Sequence, residues 1–99
     1  MFDEQIDAGG PLVKWSGDKA SWYFVVLSGD VVGEIHYAAM GRTGGFGSVK
    51  VRATIGNTTW ETSLFPSKES GGFVLPVKAA VRKAEGLSEG DAISLILRV

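Results

Sequence analysis

The alternation of apolar and polar residues is clearest in the middle of the chain. From Ser48 to Ile55, Val49, Val51, Ala53 and Ile55 alternate with Lys50, Arg52 and Thr54, the period of a strand with one covered face. Gly56-Asn57 follows, a pair that tolerates positive φ and suits a two-residue hairpin turn of type I′ or II′. Thr58 to Phe65 then returns. A turn at Gly56-Asn57 sets Ile55 opposite Thr58, Ala53 opposite Trp60, Val51 opposite Thr62 and Val49 opposite Leu64. On the other face Thr54 meets Thr59, Arg52 meets Glu61 and Lys50 meets Ser63. The first set faces a core and the second faces solvent.

Two further stretches predict a strand followed by a short helix. Ser21 to Leu27 is apolar on both faces, as a strand covered on both sides should be. Ser28-Gly29-Asp30 then offers a capping hydroxyl and an acid for a first helical turn. Val31, Val32, Ile35 and Ala39 recur at helical spacing, and Gly41 stops the pattern. In the second stretch, Gly72 to Leu75 predicts a strand and Pro76 suits the first turn of a helix. Val77, Ala80, Val81 and Ala84 make its apolar stripe, Lys78, Arg82 and Lys83 lie off it, and Gly86 ends it. Ser88 to Asp91 is a turn in which Asp91 hydrogen-bonds the backbone. Ala92 to Val99 closes the chain as a strand with Ile93, Leu95, Leu97 and Val99 inward. At the start, Phe2 to Ile6 and Leu12 to Trp15 predict two more strands.

The segments echo one another. Sliding residues 24–32 by 48 positions sets Leu27-Ser28 on Leu75-Pro76, so each half reads as strand, turn, short helix, Gly-bearing loop, strand. The pattern implies a single, mainly β domain over residues 1–99 with two short helices. Its expected core includes Trp22, Phe24, Val26, Ile35, Val51, Ile55, Trp60, Leu64, Val74, Val81, Ile93, Leu95 and Leu97.

Composition narrows this picture. The chain has 99 residues, no cysteine and a net charge of −1, with a pI near 5.7. Its 44% hydrophobic content supports a core, which argues against a disordered tail or a disulfide scaffold. The near-neutral balance argues against a basic nucleic-acid coat. Charge is nonetheless uneven: residues 1–40 hold six acids and two bases, and residues 41–99 hold eight bases and five acids. Either the two ends neutralise each other after folding, or a basic face is open to an anionic partner. The start of the chain lacks the cationic and apolar run of a secretory signal, and Tyr23 to Leu27 is far too short to span a bilayer. A cytoplasmic address and no membrane partner are therefore expected.

Chemistry-bearing constellations are sparse. His36 is the only histidine and reads as a helix-surface residue; metal-ligand spacing is absent, so no metal, cofactor or catalytic residue is assigned. Asp3, Glu4 and Asp7 sit near a strand end, and Glu89 and Asp91 flank a turn glycine, without the look of paired catalytic acids. Gly44-Gly45-Phe46-Gly47 follows a helix and precedes a strand, the wrong order for a phosphate cradle, and reads as a connection. The candidate ligand-binding residues are Lys50, Arg52, Trp60, Lys78 and Arg82. Lys78 and Arg82 share a helix side at i, i+4, and Lys50 and Arg52 share the polar hairpin face. Neighbouring placement of hairpin and helix would make a four-cation patch edged by Trp60 or Phe65. Alternatively, Arg52 pairs with Glu61 and the helix cations are solvated. Trp22 and Trp60 read as core and Trp15 as exposed.

The run from Phe73 to Ile93, with Pro76, a basic helix, Gly86-Leu87 and Gly90-Asp91 before the last strand, is similar to a unit of AbrB/MazE-type swapped-hairpin proteins. Together with Val51 to Gly56, Trp60 to Pro66 and Trp22 to Ile35, it resembles an uncharacterised bacterial domain-of-unknown-function family of small double-split β-barrels. Members of that family are sometimes fused to OmpD-associated-type domains. The resemblance runs from about Trp22 to Val99. It implies a double-split β-barrel of about six or seven strands with pseudo-two-fold halves in one chain, and it implies no activity. Relatives usually carry Pro where this chain has Ser28, which can cap the helix instead. The expected function is a non-enzymatic binding or accessory module for a protein, peptide or small anionic ligand, as a monomer or homodimer. The alternative is an AbrB/MazE-like nucleic-acid-binding regulator, against which the low pI argues.

Overall fold

Six strands and two helices make up the chain in a computed structural model that describes residues 4–41 and 47–99. In order they are β1 (Gln5–Ser16), β2 (Ser21–Leu27), α1 (Asp30–Ala38), β3 (Val49–Ile55), β4 (Thr58–Ser67), β5 (Gly72–Pro76), α2 (Ala79–Glu85) and β6 (Ala92–Arg98). The strands close into an antiparallel barrel in the order β1-β2-β5-β4-β3-β6. β1 and β4 are the long strands because each serves two sheets. Residues 5–11 of β1 pair with β6 and residues 12–16 with β2, while residues 58–64 of β4 pair with β3 and residues 65–67 with β5. The barrel is thus split at two corners.

An internal two-fold exchanges β1-β2-α1-β3 with β4-β5-α2-β6. Val26 and Val74, 48 positions apart in sequence, stand directly opposite each other between β2 and β5, which is where that offset requires the axis to pass. On the far side, Ile6, Leu97, Ala53 and Trp60 form one row across β1, β6, β3 and β4. The axis falls between Leu97 and Ala53, so Ile6 and Trp60 hold corresponding inward positions.

The central hairpin forms in the expected register at every pair. Gly56 takes a φ of 57° in its turn, a conformation that favours glycine. The hydroxyls of Thr54 and Thr59 meet at 2.8 Å. The turn is pinned from outside: the Thr58 hydroxyl donates to the Glu85 carboxylate at the end of α2, at 2.6 Å. Gly86 closes that helix in the left-handed conformation, with Leu87 N–H donating to the Arg82 carbonyl, as the sequence predicts. The Asp91 carboxylate accepts from the Ser88 N–H at 2.8 Å, again as expected.

Four expectations need correction. The N-terminal segment is one strand, not two. Gly9-Gly10 continues it because β1 must bend there from β6 to β2, and a Cβ on Gly10 would land on the Val26 carbonyl oxygen. α2 begins at Ala79, with Lys78 as its extended N-cap residue, because Pro76 and Val77 still belong to the sheet: Val77 N–H donates to the Tyr23 carbonyl at 2.9 Å. Ser28 does not cap α1; Gly29 holds the N-cap position without a side-chain bond. The fourth concerns parity. In β2 and β5 the buried residues are Val25, Leu27, Phe73 and Leu75, whereas Phe24, Val26 and Val74 are only partly buried and Trp22 is 47% exposed. Both faces of these strands are apolar, so composition alone could not tell inward from outward.

Elsewhere the expected core holds, with Ile35, Val51, Ile55, Trp60, Leu64, Val81, Ile93, Leu95 and Leu97 all buried. Ile35 and Val81 anchor the two helices. The Gly44 to Gly47 connection falls mostly outside the described residues. Among the described residues, no helix is long and apolar enough to cross a membrane.

Candidate functional site

β4 leaves β5 where it turns to pair with β3, and the start of α2 lies beside the opening. The resulting groove has a volume of about 330 Å³. Trp60, Lys78 and Arg82 line it, together with Trp22, Tyr23 and Glu61. Trp60 is buried at 8% exposure, because its inward position on β4 faces small Ala53. Trp22 and Tyr23 reach the groove from the first residues of β2, a strand that β5 holds in place from Phe24 onward.

Arg82 is held at two points. Its Nε–H donates to the Val77 carbonyl at 3.2 Å, and its guanidinium lies 3.7 Å above the Tyr23 ring centroid. Stacking and one hydrogen bond fix the plane of the group, and among the described residues its terminal nitrogens make no hydrogen bond, the arrangement in which Arg grips a carboxylate or phosphate in bidentate fashion. Lys14, paired across β1–β2 with Tyr23, sets its Nζ 5.9 Å from the same ring. Lys78 is exposed at the groove's edge.

The other two candidate cations lie elsewhere. Lys50 lines an adjoining hollow with Glu61, Thr62, Ser63 and Phe65. Arg52 forms an ion pair with Glu61 at 3.0 Å and faces Arg98 of β6 across the ladder. Hairpin and helix are indeed neighbours, yet Glu61 stands between the two pairs of cations, so no single four-cation patch forms. Arg82 is also not simply solvated, since Tyr23 and Val77 hold it.

Sequence reasoning missed Trp22 and Tyr23 as groove residues. The available signal was that Trp15 and Trp22 flank one short turn between two apolar segments; in the fold they pair across the β1–β2 hairpin, with ring centroids 5.1 Å apart. His36 is exposed on α1 with its ring 5.1 Å from that of Phe73, a surface packing contact. Among the described residues, no three His, Cys, Asp or Glu side chains are placed to hold a metal ion.

A second groove lies between β1 and α1. That one is lined by Glu4, Glu34, Ile6 and Tyr37. The uneven charge of the two halves therefore survives folding as a cationic groove and an acidic one.

Comparison with curated proteins finds no match. A family model described as a domain of unknown function, DUF1905, matches residues 9–97. That span takes in most of both halves of the barrel, the groove beside α2 and all five candidate residues, and the chain belongs to the DUF1905 family.

Proposed function

We propose that the chain is a non-enzymatic binding module whose cationic groove takes a small anionic ligand with a flat apolar body. The observation that carries this reading is Arg82, stacked on Tyr23 and tied to Val77, in a groove that Lys78 and the indoles of Trp22 and Trp60 also line. A carboxylate or phosphate would meet the free guanidinium nitrogens, and an attached ring would lie against the indoles. The volume of about 330 Å³ is near the lower limit of ligand pockets and suits a small molecule or a chain end. Nucleic acid is less well supported, because Arg52 is engaged by Glu61 and the acid interrupts the cationic track. We set the module in a bacterial cytoplasm, with which the lack of cysteine accords.

Titration with a panel of aromatic carboxylates, peptide carboxyl ends and nucleoside monophosphates tests the reading, followed by tryptophan fluorescence and amide and indole NMR shifts. At least one compound class should shift the Trp22 and Trp60 indole signals at sub-millimolar concentration. Arg82→Ala should abolish the shift, and Arg82→Lys should weaken it about tenfold or more, because an ammonium lacks the planar fork. Silence of both indoles across the panel would refute it. So would tight binding of labelled duplex or single-stranded DNA that collapses with salt, which would favour the regulator alternative.

A further inference from the structure

The barrel has two very different outer faces. Around β3, β6 and the first part of β4, the outward positions carry Lys50, Arg52, Glu61 and Arg98 among threonines and serines, with Ile96 as an exposed apolar residue on β6. Around β2, β5 and the adjoining ends of β1 and β4, the ladder sets Trp15 beside Trp22, Val13 beside Phe24 and Pro76, and Val26 beside Val74 and Phe65. None of these outward positions bears a charge.

The aromatic exposure is substantial: Trp15 is 58%, Trp22 47% and Phe65 43% exposed, with Val13 at 41%. Full burial of an aromatic side chain covers about 150–250 Å², so these rings alone leave on the order of 350 Å² in water. Val13 and the half-buried Phe24, Val26 and Val74 raise the apolar area to about 500 Å², toward the top of the range for the largest patch on a monomer.

We infer that this face is a self-association surface, closed by the same face of a second copy in a two-fold dimer. Two arguments select a second copy as the occupant. The first is area. Homodimer interfaces are about 65% apolar, so a patch of about 500 Å² implies roughly 800 Å² per partner, which is what a stable dimer of standard size buries. The second is charge. In an isologous contact residue i meets residue j and j meets i, so a face without charges can close on its own copy with no charge stripped of water unpaired. This face carries none, whereas the opposite face sets Lys50, Arg52 and Arg98 against Glu61, an excess of cations that a second copy would have to bury. A two-fold contact lays the Trp15–Trp22 end of one copy over the Val74–Phe65 end of the other. The same need for cover explains why β2 is apolar on both sides: the barrel core takes one side and the partner takes the other.

Analytical ultracentrifugation of the intact chain across about 1–200 μM tests the inference. A monomer–dimer equilibrium with a dissociation constant on the order of 10 μM is expected. Phe65→Ser and Trp15→Ser, both at exposed positions, should each weaken it about tenfold or more with unchanged circular dichroism, and Val26→Asp should abolish it. Arg52→Ala, on the opposite face, and Arg82→Ala, in the groove, should leave it intact, which separates this inference from the ligand reading. A monomer throughout that range overturns it, whether the patch then proves to bind vesicles, another protein or nothing. A dimer indifferent to both Phe65→Ser and Trp15→Ser overturns it too.

Discussion

Gly10 and Gly33 offer a paired test of the barrel's construction, because the same added methyl should have opposite effects at the two sites. At Gly10 a Cβ would land on the Val26 carbonyl oxygen and crowd its carbonyl carbon. Neither strand can retreat. Val26 is held in β2 by pairing to β5, and β1 is held on one side by β6 and on the other by β2. The strand must shift by about an ångström in a closed, close-packed ring, and with backbone as the obstacle the overpacking costs about 3 kcal/mol, the top of its usual range. A domain of this length is stable by about 5–15 kcal/mol in total. With about 4–8 °C of melting temperature per kcal/mol, Gly10→Ala should melt at least about 10 °C below the wild type.

Gly33 is the control. It lies within α1 at an exposed position, and a Cβ there would meet nothing within 4 Å. Alanine removes glycine's backbone freedom in the unfolded chain and should stabilise by about 0.5–1 kcal/mol, a rise of about 3–6 °C. Thermal and urea unfolding followed by circular dichroism, with m-values compared to confirm two-state behaviour, reads both effects. If Gly10→Ala melts within about 2 °C of wild type, β1 does not bend against Val26 as described, and the corner argument fails.

Three further outcomes follow from the packing. Leu75→Ala should cost about 2–4 kcal/mol and Val74→Ala about 1 kcal/mol or less in dilute solution, which checks by urea unfolding that Leu75 faces inward on β5. Glu85→Ala and Thr58→Val should each destabilise by about 1–2 kcal/mol through loss of the 2.6 Å bond between α2 and the hairpin turn, and a double-mutant cycle should show that the two losses do not add. Arg52 and Glu61, whose side chains are 44% and 63% exposed, should couple by less than about 1 kcal/mol in the same kind of cycle, most of it lost in molar salt.

How legible the fold was depended on how one-sided each segment is. The hairpin from Val49 to Leu64 alternates cleanly, so register, facing and even the Arg52–Glu61 pair followed from a two-residue turn. β6 alternates as cleanly and was equally plain. β2 and β5 are apolar on both faces, and there Trp22, Phe24, Val26 and Val74 were assigned to the wrong side. Period-two reasoning has nothing to work with when both sides are hydrophobic. The bend of β1 at Gly9-Gly10 was hidden for another reason. It is set by contact with Val26 and Ile93, residues remote in sequence, whereas locally a glycine pair reads as a break. For the groove, sequence spacing brought Lys78 to Arg82 on one helix. It could not show that Tyr23, half the chain away, stacks under Arg82 and converts a surface cation into an oriented one.

The internal two-fold helps to say where function resides. Both halves need the same strand, corner and helix to close the ring, and that demand explains the Val26–Val74 and Leu97–Ala53 pairings along the axis. Architecture therefore accounts for what the halves share, and specialised chemistry must be sought where they differ. The largest difference is at the two corners. Ile6 and Trp60 occupy corresponding inward positions, one partnered by Leu97 and the other by Ala53, so each pairing fills its part of the core with a different division of volume. Placing the bulk in a single indole on β4 lets that ring reach the groove opening as well as the core, which the smaller Ile6 side chain has less surface to do. Beside Trp60 stand Lys78 and Arg82; near Ile6 stand Glu4 and Glu34. A difference of charge between two halves of the same architecture has no use in closing a barrel. It distinguishes the opening beside α2 from the one beside α1, and it leaves the β4–α2 groove as the one suited to an anion.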